Sequence, residues 1–278
     1  MGPEFLLKKQ NPDGGWAYLQ GGSWTEPSVY ATLALLAAGE ARAARRGIDW
    51  LIATERPGGG WASRPGVGES SWVTALAALV PEERLGRDAH RRAIAWLLST
   101  RGEDTTFLYT LRLRLLGRSP STDYVHPGWP WTKGAAAWVG PTSAAVLALD
   151  RESKLHPDPK VSERVQAGRQ FLLAHTCAAG GWNHGAIAAW GENMAPYPET
   201  TGMALLALRG VRAPQIDRSL ATGQKFLATA SADAQNWLRL GLSAHNCLPA
   251  NYQPPGGIPY RTVPEVALNC LAAQGGLA

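Results

Sequence analysis

Cysteine is scarce in this chain. Three occur in 278 residues (Cys177, Cys247 and Cys270), an odd number with no Cys-x-x-Cys pair. That excludes a disulfide framework and points to a reducing compartment, the cytoplasm. Long hydrophobic runs are missing too. No apolar stretch approaches the ~20 residues of a membrane-spanning helix, and no leader peptide is recognisable. Peripheral contact is therefore the most that is expected of a membrane. Val, Ile and Thr do not cluster as they do in strands. No basic run is interleaved with aromatics, which argues against nucleic acid as a partner. Charge is sparse at 18%, and the net +5 is spread along segments such as "GEARAARRGIDW". These read as solvated helix faces, with at most weak attraction to an anionic lipid or a diphosphate. The opening "MGPEF" resembles a cloning remnant, so residues 1–4 are set aside. The rest reads as a single domain, 1–278, whole or one piece of a longer chain.

What is abundant is helix-forming Ala, Leu and Arg, punctuated by 31 Gly and 20 Pro in short clusters, with 12 Trp. One pattern recurs. "FLLKKQNPDGGW" (5–16), "WLIATERPGGGW" (50–61), "WLLSTRGEDTTF" (96–107), "FLLAHTCAAGGW" (171–182) and "FLATASADAQNW" (226–237) each begin and end on an aromatic, with Leu second. A fixed pattern at such intervals marks stacked or ringed supersecondary units. An amphipathic helix precedes each copy, and the Pro/Gly cluster stops it. The closing Trp can fold back over the helix end, where its indole N–H, or the Gln10 side chain, can bond orphaned carbonyls.

A second, more apolar helix follows each copy. "TEPSVYATLALLAAG", "GESSWVTALAAL", "EDTTFLYTLRLRLL", "VGPTSAAVLALD", "PETTGMALLAL" and "TVPEVALNCLAA" all place small or acidic residues before an Ala/Leu run, and their Ser and Thr read as N-caps. A seventh such helix begins near Ala234. Apolar all round, these helices should be buried on most sides. The plan is an all-α fold of about six helical hairpins, amphipathic outside and apolar inside. Closed into a ring it is an α/α-toroid; left open it is a solenoid. Two long loops stand out, 117–139 and 247–260, of the kind that often carries function.

The stretch Gln10, Asp13, Gly14, Gly15, Trp16 resembles the QW repeat of squalene-hopene and related terpene cyclases, shared more loosely with protein prenyltransferase β subunits. Gly60 and Trp61, and Gly181 and Trp182, resemble later copies. The resemblance runs through nearly the whole chain. It implies an α/α-toroid whose inner helices surround an apolar cavity for an isoprenoid, with no cofactor. In that family an Asp-x-Asp-Asp-Thr motif at an inner-helix start protonates an alkene or epoxide. The best match here is "YPETTGMALLAL", where Glu199-Thr200 falls on the last Asp-Thr and Pro198 on the central Asp. Asp104-Thr105 is a second partial match, and the short Asp-Cys-Thr-Ala variant is absent.

Protonating an alkene requires a strong acid in a dry site, and the resulting cation requires aromatic faces at ~1–2 kcal/mol each. Single carboxyls occur at inner-helix starts: Glu26, Glu69, Asp104, Glu199 and Glu265. Glu199 and Asp104 are the candidate acids. Trp24, Trp72, Tyr109, Trp129, Trp131, Trp138, Trp190 and Tyr197 are the candidate cavity wall. As first-turn residues, the acids would equally serve the helix dipole. The expectation is an isoprenoid-handling protein, acting by proton-initiated cyclisation, on an isoprenoid or its diphosphate. A non-catalytic polyprenyl-binding or scaffold toroid is the alternative, and a zinc prenyltransferase using His175, Cys177 and His184 comes third. His90 is placed on an exposed face. Toroid glycosidases require a pair of pocket carboxylates, and single acids supply only one.

Overall fold

The structure is a computed structural model that describes residues 2–105, 115–116, 126–185, 188–189, 192–253 and 260–277. It is helical, with one two-stranded pairing of β1 (Ala188–Ala189) and β2 (Glu192–Asn193). Six described helices form an inner layer: α2 (Thr25–Ala37), α4 (Val73–Ala77), α7 (Val139–Leu155), α9 (Pro198–Ala207), α11 (Ala232–Ala244) and α12 (Val263–Ala273). Each packs on the next, and α12 returns to α2, so the layer closes into a ring. The fold is an α/α-toroid, not an open solenoid. Outside it lie α1 (Pro3–Lys9), α3 (Ala41–Thr54), α6 (Arg87–Ser99), α8 (Pro159–Ala174) and α10 (Pro214–Phe226), with the short α5 (Glu82–Leu85) between α3 and α6. The inner helices are apolar on every side because neighbours cover them on every side: in α2, every residue but one from Thr25 to Leu35 is buried. At the tightest crossing, a Cβ on Gly202 would sit 2.3 Å from the Trp237 carbonyl carbon, so only glycine lets α9 and α11 approach.

Four corners join outer to inner helices by one geometry. Trp16, Trp61, Trp129 and Trp182 donate their indole N–H to the carbonyls of Leu6, Leu51, Leu97 and Leu172 at 2.8, 2.7, 2.9 and 2.6 Å. Those carbonyls lie in the last turns of α1, α3, α6 and α8, where i+4 helical donors run out, although Leu172 O also accepts from His175 N at 3.2 Å. Each Trp backbone N–H donates to a hydroxyl of the following inner helix: Ser28, Thr74, Thr142 or Thr201, at 2.8, 2.9, 2.9 and 3.0 Å. The N-cap reading of these Ser and Thr residues is thereby corrected. Their hydroxyls hold the preceding corner, and the N-cap positions of α2, α7 and α9 are Trp24, Trp138 and Tyr197 with no side-chain cap. Gly60 and Gly181 have φ of +78°, and a Cβ on either would meet the Thr74 or Thr201 hydroxyl at 2.8 or 2.7 Å. Gly15 sits as close to Ser23 and Trp50. Gln10 donates to Gly14 O and Ala43 O, tying the first corner to α3.

Two of the five sequence copies are corrected. Ten residues separate leucine and tryptophan at the first, second and fourth corners, but 32 at the third. The third corner closes on Trp129 after a long excursion, not on Phe107, which lies outside the described residues. The fifth copy does span an outer-to-inner turn, from the end of α10 at Phe226 to the start of α11 at Ala232, but Trp237 is internal to α11 and closes no corner. A helix end, a turn and the next helix reproduce the aromatic spacing here without the glycines that the Trp corner uses.

Arg164 secures the base of that excursion. It is buried, donates to Thr100 O at 3.0 Å and Pro127 O at 2.9 Å, and stacks over Trp129 at 3.6 Å. Burial, with repulsion from Arg101, lowers its guanidinium to about 9. Arg164→Met takes this donor from the buried Thr100 carbonyl and the half-buried Pro127 carbonyl, a cost of about 2–4 kcal/mol. It should lower Tm and speed proteolysis between Arg101 and His126; a variant cut no faster than wild type would show that Arg164 does not hold the segment.

Candidate functional site

The inner helices aim their N-termini at one mouth of the ring, and the first-turn acids travel with them. Glu26 of α2, Glu199 of α9, Asp233 of α11 and Glu265 of α12 meet around a hollow of about 380 Å³. Tyr18, Trp72, Trp131, Met203, Trp237 and Leu268 complete most of its wall. Trp72 and Trp131 stand edge to face at 4.9 Å. The hollow is shallow, because no lining residue lies deeper than the second turn of its helix. Tyr30 of α2 and Trp237 of α11 meet edge to face at 5.9 Å beneath it, spanning α12 to make a floor. The central channel expected of an oily ring is thus reduced to a bowl.

The four acids differ in state. Tyr18 donates a short hydrogen bond to Glu26, and the Tyr18 carbonyl accepts from Val263 N, fastening the loop to α12. Burial raises the Glu26 carboxyl to about 7, against the lowering pull of the Tyr18 hydroxyl and with a push from Glu199. Burial likewise raises Asp233 to about 7, helped by the charges of Glu199, Glu26 and Glu265. Glu265 is employed structurally. It forms a capping box with Thr262, accepting from Thr262 N at 2.8 Å while Thr262 Oγ1 accepts from Glu265 N at 3.3 Å. Glu199 is exposed. Among the described residues no Lys, Arg or His forms an ion pair with any of the four. Elsewhere acids are matched: Asp150 to Lys154, Arg169 and Arg209, Glu82 to His156, and Glu152 to His90. Unmatched acids held at one mouth are the arrangement that shifts pKa values for chemistry.

The sequence candidates divide between this bowl and a second pocket. Glu199, Trp72 and Trp131 line the bowl. Trp24 backs it, meeting Tyr18 edge to face at 5.6 Å with the Arg64 guanidinium over its ring at 5.0 Å. Asp104, Trp138 and Tyr197 line a separate pocket of about 290 Å³ between the starts of α7 and α9. Asp104 Oδ1 there accepts from Ala137 N at 3.1 Å. Trp129 is buried in its corner and lines neither cavity. Glu69 is exposed in the loop before α4. Tyr109 and Trp190 lie outside the described residues. His90 is corrected from exposed to buried, bonded to Glu152 at 2.8 Å. His175 donates Nδ1–H to Phe171 O at 2.8 Å and Cys177 is buried with its thiol pushed up by burial. With His184 they form no ligand set, and no cluster of three or more His, Cys, Asp or Glu among the described residues could hold a metal ion. Asp233 and Trp237 were missed because "FLATASADAQNW" satisfied the repeat pattern. The helix start near Ala234 was read, but only Ser231, its N-cap bonded to Ala234 N at 3.4 Å, marks Asp233 as a first-turn acid like the others.

The chain's likenesses are structural. No protein-family model and no curated protein matches it in sequence. Among solved structures it is similar to the type II terpene cyclase MstE from Scytonema, with TM-score 0.56, 19% identity, and coverage of 98% of this chain and 75% of that one. It is also similar to a GH76 α-mannanase of Bacteroides thetaiotaomicron, with TM-score 0.62, 9% identity, and coverage of 98% and 93%. A GH8 endo-β-1,4-glucanase from an Achatina fulica gut metagenomic library gives 0.62, 14%, 98% and 97%. These likenesses establish the toroid and leave its chemistry to the site. No described helix is long and apolar enough to cross a membrane.

Proposed function

We propose that the bowl is the active site of an acid catalyst of the terpene-cyclase type. Asp233 or Glu26 delivers a proton to an alkene carbon of an isoprenoid seated against Trp72, Trp131 and Trp237. The observation that carries this is the convergence of two carboxyls near pKa 7 with three indoles on one hollow of about 380 Å³. Such carboxyls keep a transferable proton at neutral pH. They are weak acids toward an alkene, so the cation they form has to be stabilised where it forms. The indole faces supply ~1–2 kcal/mol each, and carboxylates fixed nearby add electrostatic stabilisation. The proton lost when the cation collapses to an alkene can return to the carboxylate that released it. Four acids also repel a diphosphate, so the bowl suits a neutral polyene or a prenyl chain whose charged end lies elsewhere.

Glycoside hydrolysis is the second reading, because a raised acid beside other carboxyls is what that reaction uses and two glycosidases share the fold. The lining opposes it: no Asn, Gln, Lys or Arg is among the described lining residues to grip sugar hydroxyls. Incubation with squalene, farnesyl and geranylgeranyl diphosphates, β-1,4-glucan and α-mannan separates the two. A cyclised hydrocarbon that disappears in Glu26→Gln and Asp233→Asn is expected. New reducing ends would overturn the proposal in favour of the glycosidase. Polyprenyl lipids that raise Tm without product would reduce the protein to a binder.

A further inference from the structure

Glu26 and Asp233 share the bowl but not the same company. The difference comes from the corner closed by Trp16. Trp24 N donates to Trp16 O at 2.8 Å, which pinches residues 17–23 into a loop at the rim of the bowl. Tyr18 rides on that loop and is held from two sides: its carbonyl accepts from Val263 N at 2.9 Å, and its ring meets Trp24 edge to face. So fixed, the phenol directs its one O–H at Glu26 Oε2. Burial and the Glu26 charge raise the phenol, so it stays a donor at any working pH. Asp233 has nothing comparable. Among the described residues it accepts no hydrogen bond and forms no ion pair, and it faces the charges of Glu199, Glu26 and Glu265.

We propose that Tyr18 is a positioning residue of this acid pair: it fixes Glu26 as the carboxylate and leaves Asp233 as the proton donor. The assignment deepens the cyclase reading and rests on it. Two carboxyls in one hollow ionise in sequence, and the first to go is the one whose anion already has a hydrogen-bond donor. Of the two, only Glu26 has that bond. Once ionised, Glu26 pushes its neighbour up, so the second proton stays on Asp233. Glu199 pushes on both acids, and Glu265 adds its push to Asp233. The Tyr30 hydroxyl, buried beneath, has no hydrogen-bond partner among the described residues and so donates to neither. The Asp233 proton forms the new C–H bond as the alkene π bond breaks. Glu26 stays an anion beside the cation throughout, which stabilises it. Asp233 recovers its proton when the cation collapses, so no co-reactant is consumed.

Carbon-13 NMR titration of the carboxyl carbons, with Glu26→Gln and Asp233→Asn to assign the signals, reads the order without any substrate. In wild type Glu26 is expected to lose its proton at lower pH than Asp233. Tyr18→Phe keeps the ring against Trp24 and removes only the O–H. It should move the Glu26 midpoint up by about one pH unit, tenfold in its ionisation constant, and the Asp233 midpoint down, so that the order reverses. In Glu26→Gln the Asp233 midpoint should fall, and adding Tyr18→Phe should move it no further, because Tyr18 acts through Glu26. With squalene, Tyr18→Phe should lower kcat while KM holds, and should start the alkaline decline in activity at lower pH. Asp233 ionising first in wild type, or midpoints that Tyr18→Phe leaves unmoved, overturns the inference. If the titrations come out as expected but no cyclised product forms from squalene or the prenyl diphosphates, the ordering of the pair stands and the cyclase reading alone falls.

Discussion

Asp233→Asn should lower turnover by about 10²–10⁴, the range a positioned proton donor contributes, while making the protein more stable at pH 8.5. Both effects come from one fact: folding holds this carboxyl near pKa 7, well above an ordinary Asp. A folded-state pKa raised in this way means that the native protein binds a proton the unfolded chain has already released, between about pH 4 and pH 7. The stabilisation is complete below the unfolded value and is lost as pH rises through the folded one. Wild-type Tm should therefore fall from pH 5 to pH 8.5. Asparagine has no charge to bury, so Asp233→Asn should flatten that fall and gain about 2–4 °C at the upper end. Glu26→Gln should behave alike, with a smaller gain, because the amide loses the charge-assisted hydrogen bond from Tyr18. Activity in wild type should decline above pH 7 as the donor ionises. A pH-independent Tm difference between wild type and both variants would mean that these acids are solvated, and the proton-donor assignment would go with it.

The second large effect concerns the third corner. Trp129→Ala removes a fully buried indole, its hydrogen bond to Leu97 O and the surface on which Arg164 stacks. Truncation of a buried Trp costs about 3–5 kcal/mol, and the loss of the Arg164 stack lies within the same corner, so the terms are coupled. Trp129→Phe should recover most of the packing but not the N–H, and fall between. Denaturant melts of these variants beside Phe107→Ala decide which aromatic closes the corner; a greater loss in Phe107→Ala than in Trp129→Ala would reverse the assignment.

The architecture was legible where the pattern carries its own physical cause. Gly-Gly-Trp after an amphipathic helix is a helix stop plus a donor for the carbonyls that the stop strands, and three of the four corners were readable from that alone. Apolar Ala/Leu runs announced an inner layer, because only a helix surrounded by helices can be oily on every side. Reading failed at two places for two reasons. Between Leu97 and Trp129 the contact is long-range, and no local spacing reports it. At Phe226–Trp237 the spacing was present without the glycines, and aromatic spacing is satisfied by an ordinary helix–turn–helix as easily as by a Trp-closed corner.

The site was less legible for a reason of geometry. Each acid at a helix start looked single in the sequence, since Glu26, Glu199, Asp233 and Glu265 are dozens of residues apart in the chain. First-turn acids are favoured by the helix dipole whatever the fold, so composition could not say that any of them mattered. Helix type, layer and corner chemistry were determined by the amino-acid sequence itself, because they depend on neighbours within a few turns. That the ring closes, that its inner helices point the same ends to one mouth, and that Glu26 and Asp233 share a bowl with three indoles was decided by tertiary packing alone. Burial and charge–charge repulsion are properties of groups brought together in space, and those are what raise these acids toward neutrality.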